Sequence, residues 1–371
     1  MKITAIHLDR LRLPLDPPFA AAWDPEPRRH ADATVVRVET DDGVVGVGSG
    51  DTMLGLAGHE HLFLGRDPLQ IQRHVRTIES IHVHGGRCWP LEVALWDILG
   101  QVTGLPVATL FGGALDRIPA YASCGSLLPP RARVDSALAL RAEGFRALKV
   151  RIDRHRADEG VATVAAVREA VGSDMEIMVD LNRSWRMAGD IEPAPDVAAT
   201  QRLVERLGDL DVFWIEEPLP YPDRAGLAAL RSRTGARIAG GEMLDSADAV
   251  LAHLDGDLLD VYQTDVVLAL GMSRARTLGE LALLRNRSFT PHTWTNGIGL
   301  LANLAVVAGI GGGPYLEFPY DPPGWTPQRR DFMLAEPVRI GPDGTVAVPT
   351  RPGIGAVLDP DAVERWRISP A

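Results

Sequence analysis

Three carboxylates end three consecutive apolar runs, about one strand-plus-helix unit apart. They are Asp180 in Val179-Asp180-Leu181-Asn182, Glu216 in Trp214-Ile215-Glu216-Glu217-Pro218, and Glu242 in Ala239-Gly240-Gly241-Glu242. One acid at such a place is ordinarily a helix cap or a solvated loop residue. Three in register on neighbouring strands repel one another unless protons or a cation neutralise them, and an all-oxygen site suits Mg²⁺ or Mn²⁺. The run Ala147-Leu148-Lys149-Val150-Arg151-Ile152 carries two cations that share one face of a strand. Among apolar neighbours they are costly unless they meet anions. Gln263-Thr264-Asp265 and Thr290-Pro291-His292 end two further runs. An Asp facing a His fixes the imidazole tautomer and raises its basicity. Glu317, in Tyr315-Leu316-Glu317-Phe318, adds a last acid. The set fits abstraction of a proton α to a carboxylate: cations stabilise the enediolate while a positioned base takes the proton.

These residues need a scaffold that brings strand ends together. Eight strand candidates (118–123, 147–152, 176–181, 212–216, 237–241, 258–263, 288–291 and 315–318) alternate with helical stretches such as 158–171, 198–207 and 272–284. That α/β grammar predicts a barrel with its site at the C-terminal ends of the strands. An open doubly wound sheet shares the grammar, but no G-x-G-x-x-G follows a strand. Residues 1–115 read as α+β. Alternation over 34–40 and 44–47 around Asp42-Gly43 predicts a hairpin, and helices are predicted near 69–81 and 90–100. Residues 116–330 hold the βα repeat, and 331–371 return to β-like segments that pack back on the N-terminal region.

The 371 residues carry 38 basic and 49 acidic side chains, a net charge of −11, with no basic stripe, so no nucleic-acid partner is expected. No run of 18 apolar residues predicts a membrane span, and the first residues read as a strand rather than a signal peptide. Two cysteines, Cys88 and Cys124, are too few for a disulfide framework and point to a reduced, cytoplasmic setting.

With these motifs, the chain resembles the mandelate racemase/muconate lactonizing enzyme-type family of the enolase superfamily, most closely its mandelate racemase subgroup. The likeness runs over essentially the full length. It includes Trp89-Pro90-Leu91-Glu92-Val93-Ala94-Leu95-Trp96-Asp97, Leu110-Phe111-Gly112-Gly113 and Arg351-Pro352-Gly353-Ile354-Gly355. The resemblance implies a modified TIM barrel, (β/α)7β, under an α+β capping domain formed from both termini. It makes Asp180, Glu216 and Glu242 the Mg²⁺ ligands, Asp265–His292 the catalytic dyad, Lys149 a contact of the substrate carboxylate, and Glu317 a hydrogen-bonding partner of that carboxylate or its enediolate. Arg151 departs from the family pattern, which has a second catalytic lysine there. A guanidinium stays protonated and is a poor base. Two-base racemization is thereby disfavoured, and His292 leads as the base of an acid-sugar dehydratase.

Capping loops supply specificity in this family, so Trp23, Arg28 and His30, with Asp51 and Thr52, are candidate substrate contacts, joined by Asn182 and Trp294. An epimerase or cycloisomerase of a carboxylate is the rival within the family, and a non-catalytic metal-binding relative the rival outside it. A barrel glycosidase would not require Lys149 and Arg151 beside its acids. The resemblance also implies a homo-oligomer, a dimer or an octamer.

Overall fold

The computed structural model describes residues 1–50, 53–186, 189–193 and 195–368. Strands β1 (Ile3–Phe19), β2 (Arg28–Thr40) and β3 (Val45–Gly50) form an antiparallel sheet in that order. The expected Asp-Gly turn joins β2 to β3, with Gly43 at φ 79°. Helices α1 (Ile71–His82), α2 (Trp89–Thr103) and α3 (Val107–Leu110) follow. Helix α2 lies directly on β3: a Cβ on Gly48 would sit 1.9 Å from the Pro90 carbonyl oxygen.

The barrel then builds as β4 (Arg117–Ser123), α4 (Pro130–Ala142), β5 (Ala147–Arg151), α5 (Ala157–Val171), β6 (Glu176–Asp180), α6 (Val197–Gly208), β7 (Val212–Glu216) and α7 (Arg224–Thr234). It continues as β8 (Ile238–Gly240), α8 (Ala247–Asp255), β9 (Val261–Tyr262), α9 (Gly271–Leu284), β10 (Ser288–Phe289), α10 (Gly297–Ile310), β11 (Leu316–Pro319) and the short α11 (Pro327–Arg330). The parallel strands run β10-β9-β8-β7-β6-β5-β4-β11, a curled sheet that brings the last strand beside the first. Between β10 and β11 the contact is local: Gly313 donates its N–H to Phe289 O at 2.9 Å, and the Thr293 hydroxyl donates to Glu317 O at 2.7 Å. This is the modified TIM barrel with its capping domain.

The tail divides its contacts. Strand β12 (Thr345–Ala347) pairs with barrel strand β4, whereas α12 (Pro360–Trp366) leads to Ile368, whose N–H bonds Arg10 O in β1 at 2.8 Å. Among the described residues, no helix is long and apolar enough to cross a membrane.

Two buried acids in α2 tie the cap to its surroundings, Glu92 to the barrel and Asp97 to β3 and the C-terminal tail. Glu92 in α2 accepts from the Met272 and Ser273 N–H groups at the start of α9, at 3.0 and 2.8 Å. Asp97 accepts from Val47 and Ile354 N–H at 2.9 and 2.8 Å. The burial of each is offset by donors that the backbone cannot lose while folded.

Side chains two apart on a strand share a face, so the barrel interior is layered. Its lower layer is apolar and aromatic: Tyr121, Ala147, Met178, Trp214, Ala239 and Val261 pack together. Two residues further along the same strands stand Ser123, Lys149, Asp180, Glu216 and Gln263, all buried. An interior ordinarily filled with branched apolar residues is charged here. That inversion locates the site.

Candidate active site

Lys149 is fully buried at the centre of the charged layer. Its Nζ donates to Glu216 Oε1 at 2.6 Å and to Glu317 Oε1 at 2.8 Å, and lies 3.5 Å from Asp180 Oδ2. Burial works against its charge, but Glu216, Glu317 and Asp180 outweigh it and hold the ammonium protonated. One cation cannot hold three acids ionised equally well. Burial, reinforced by Asp180, pushes Glu216 up to about 8 despite its bond to Lys149. Glu317 is opposed by burial too, yet Lys149 and His292 bring it down to about 2. Its oxygens are spoken for: Oε1 also accepts from Ser123 Oγ at 2.7 Å, and Oε2 from Thr293 N–H at 2.7 Å. Trp294 Nε1 donates to Ser123 Oγ at 2.7 Å, extending this network to the cavity wall.

Above this layer opens a cavity of about 190 Å³. One wall is His292. Its Nδ1 lies 2.9 Å from Asp265 Oδ2, an atom that can only accept, so Nδ1 keeps its proton and Nε2 is the nitrogen left to titrate. Asp265 is itself fixed, since Oδ1 accepts from Val267 N–H at 2.8 Å and Leu268 N–H at 3.2 Å. Nε2 lies 3.5 Å from Glu242 Oε2. Burial favours neutral imidazole, but the carboxylates of Glu242, Glu317 and Asp265 prevail and raise His292 to about 10.

The other wall is Arg151. Its Nη1 donates to Asp180 Oδ2 at 2.5 Å and to Asn182 Oδ1 at 2.7 Å, and its Nε donates to Cys124 O at 3.2 Å. The guanidinium lies 4.3 Å from the centre of the Trp23 ring and 5.8 Å from that of Trp294. Trp23 meets Trp294 edge-on at 4.8 Å, and Arg28, ion-paired with Asp24, stands 5.6 Å from the Trp23 ring. Trp185, Met243 and Leu268 complete the lining. Trp23 and Asn182 also border an open hollow of about 490 Å³ with Arg154, His155 and Asp190.

Of the residues singled out in the sequence, Arg151, Glu242, His292, Asn182, Trp23, Arg28 and Trp294 line the cavity. Lys149, Asp180, Glu216 and Glu317 lie buried in the charged layer, and Asp265 is buried behind His292. His30 does not join them: it is exposed on β2, 3.8 Å from Asp32. Asp51 and Thr52 lie outside the described residues. Sequence reasoning passed over Ser123 and Gln263, the latter donating to Glu216 Oε2 at 2.8 Å, although both are polar residues at strand ends. It also missed Trp185, which donates to Glu242 Oε1 at 2.7 Å from a loop that carries no periodic signal.

Among the described residues, no three His, Cys, Asp or Glu side chains stand ready-formed around one cation position. Asp180 and Glu216 instead turn onto Arg151 and Lys149. The donor set nonetheless fits a divalent cation. Asp180, Glu216, Glu217, Glu242 and Glu317 are buried against two permanent cations, Lys149 and Arg151. Burial and mutual repulsion raise Glu216, Glu217 and Glu242 above the usual carboxylate range, the signature of too much negative charge in a dry site.

Residues 12–112 match the model of the mandelate racemase/muconate lactonizing enzyme N-terminal domain, and residues 132–362 that of the enolase C-terminal domain-like family. The chain is 29% identical to D-galactarolactone cycloisomerase of Agrobacterium fabrum over 99% of both chains. It is 28% identical to D-gluconate dehydratase of Thermoproteus tenax, over 91% of this chain and 70% of that one. A crystal structure of a racemase from Streptomyces coelicolor A3(2), described with bound magnesium, superposes with a TM-score of 0.85 at 27% identity, covering 99% of this chain and 100% of the other.

Proposed function

For a chain that belongs to the mandelate racemase/muconate lactonizing enzyme-type family of the enolase superfamily, we propose a Mg²⁺-dependent lyase. It removes the proton α to a carboxylate and expels a β-oxygen, most simply by dehydrating an acid sugar to a 2-keto-3-deoxy acid. The observation that carries this reading is the asymmetry of the cavity: a base on one wall and a permanently protonated cation on the other.

Asp180, Glu216 and Glu242 would hold the Mg²⁺, which when bound supplies positive charge to the substrate carboxylate and its enediolate. Arg151 and Asn182 orient the carboxylate from the opposite wall. With the charge of Glu242 engaged, His292 returns toward the neutral form that a base requires, and Asp265 keeps the proton on Nδ1 so that Nε2 faces the substrate. The Cα–H bond breaks, its proton passes to Nε2, and the electron pair is held in the enediolate. As the pair forms the Cα=Cβ bond, the Cβ–O bond breaks. The imidazolium returns a proton to the departing oxygen, which leaves as water, and the enol becomes the keto acid. Lys149 and Glu317, locked to each other beneath the cavity, hold the field in place.

A second reading is ring opening, a cycloisomerization in which the expelled oxygen stays attached to the product. Two observations favour it. The cavity is walled by three indoles, Met243 and Leu268, surfaces that suit the C–H faces of a compact ring, and a relative matched over 99% of both chains is named as a cycloisomerase. Either way the substrate is a small carboxylate, and a homo-oligomer remains part of the reading. The test is incubation with Mg²⁺ and a panel of acid sugars, their lactones and anhydro acids, read by mass. Loss of one water supports dehydration, and an unchanged mass with a new keto group supports ring opening. Exchange of the α-hydrogen without either product would replace both with an epimerase.

A further inference from the structure

We infer that Glu217 is a fourth carboxylate of the cation site and that Tyr221 positions it; the inference rests on the metal-dependent reading above. Glu217 directly follows Glu216 out of β7. Successive residues of a strand face opposite sides, which would send this side chain away from the barrel mouth. Instead the backbone turns to φ 50°, a region that residues other than glycine seldom occupy, while the Glu217 N–H remains bonded to Ala239 O at 3.0 Å. Strain of this kind persists where the surroundings demand it and gathers at functional sites.

The turn leaves Glu217 fully buried. Oε1 accepts from the Tyr221 hydroxyl at 2.5 Å, and among the described residues Oε2 has no partner. A buried carboxylate oxygen without a donor is expensive to keep. Glu216, a proposed ligand, is the preceding residue, and among the described residues nothing satisfies this oxygen; a divalent cation held at the same place would. Tyr221 supplies the geometry. Its hydroxyl also takes the Gly241 N–H at 2.7 Å, one residue before Glu242. A single side chain therefore ties the Glu217 carboxylate to the backbone that carries another ligand. Supporting contacts of this sort typically change metal affinity about tenfold to a hundredfold.

The experiment titrates Mn²⁺ into the metal-stripped full chain without substrate, read by electron paramagnetic resonance, and records the melting of each metal-free variant. Glu217→Gln keeps the shape and the acceptor for Tyr221 but removes the charge. It should bind Mn²⁺ at least about tenfold more weakly while, metal-free, still melting cooperatively, which separates a lost ligand from a lost fold. Tyr221→Phe should also weaken Mn²⁺ binding, while melting lower. Mn²⁺ affinity of Glu217→Gln within about twofold of wild type, with Glu216→Gln still abolishing binding, would overturn this inference alone. A wild type that binds no Mn²⁺ would overturn the inference together with the metal-dependent reading.

Discussion

On one side of the cavity His292 stands on Asp265, its tautomer set by a 2.9 Å bond; on the other Arg151 lies against two indoles and holds Asp180 and Asn182. Both groups are buried cations or potential cations beside acids, yet their chemistry differs. The imidazole has at the cavity a nitrogen that can lose and regain a proton, and a carboxylate behind it. The guanidinium has no lone pair to offer and every reason to stay protonated. A cavity with two bases would serve both faces of an α-carbon. With one base and one fixed cation, the proposed reaction would take a proton from a single face and use the other wall to grip the anion.

The widest effect should come from the floor that both walls share. Chelation should reduce activity to background, and Mg²⁺ or Mn²⁺ should restore it. Glu216→Gln should abolish turnover while the protein still melts cooperatively. Full turnover by metal-stripped protein would show that the two walls act without the carboxylate cluster. Next in size is the base itself: His292→Asn should lower kcat by about 10²–10⁴-fold, whereas an unchanged kcat would move the base elsewhere. The gripping wall should respond less. Trp23→Ala removes the ring 4.3 Å from the Arg151 guanidinium. If that contact is worth about 0.5–2 kcal/mol, KM should rise roughly two- to thirtyfold with kcat moving less. A pure loss of kcat would instead place Trp23 with the chemistry.

Much of this arrangement was legible in the sequence because barrel strands write it plainly. Short apolar runs ending in Asp180, Glu216, Glu242, Asp265 and His292 predicted both the strands and the mouth they line. Periodicity failed where burial is complete. Helix α10 has apolar residues all around and no polar face to set a rhythm, so only its cap, Asn296 accepting from Ile298 and Gly299 N–H, marks its start. Alternation also decided which capping residues reach the cavity: on β2 Ala31 turns inward and His30 outward, while Trp23 arrives from the loop before the strand. Buried acids needed the fold to be told apart. Glu92 and Asp97, surrounded by N–H donors, are joints of the structure; Glu216 and Glu242, crowded by other acids, are the ones proposed to hold a cation. Nothing in the sequence sets Glu217 apart from its neighbour; its positive φ and unpartnered oxygen are visible only in the fold.

The one-base account is tested most directly by hydrogen exchange in D₂O with a pair of substrate epimers that differ only at the α-carbon, followed by nuclear magnetic resonance. The unmodified protein with Mg²⁺ should exchange or eliminate the α-hydrogen of one epimer and leave the other untouched. His292→Asn should abolish that exchange, and Arg151→Lys, which places a deprotonatable amine on the opposite wall, should introduce exchange of the second epimer. Equal exchange of both epimers by the unmodified protein would contradict the account, giving the Arg151 wall a base and making the reaction an epimerization.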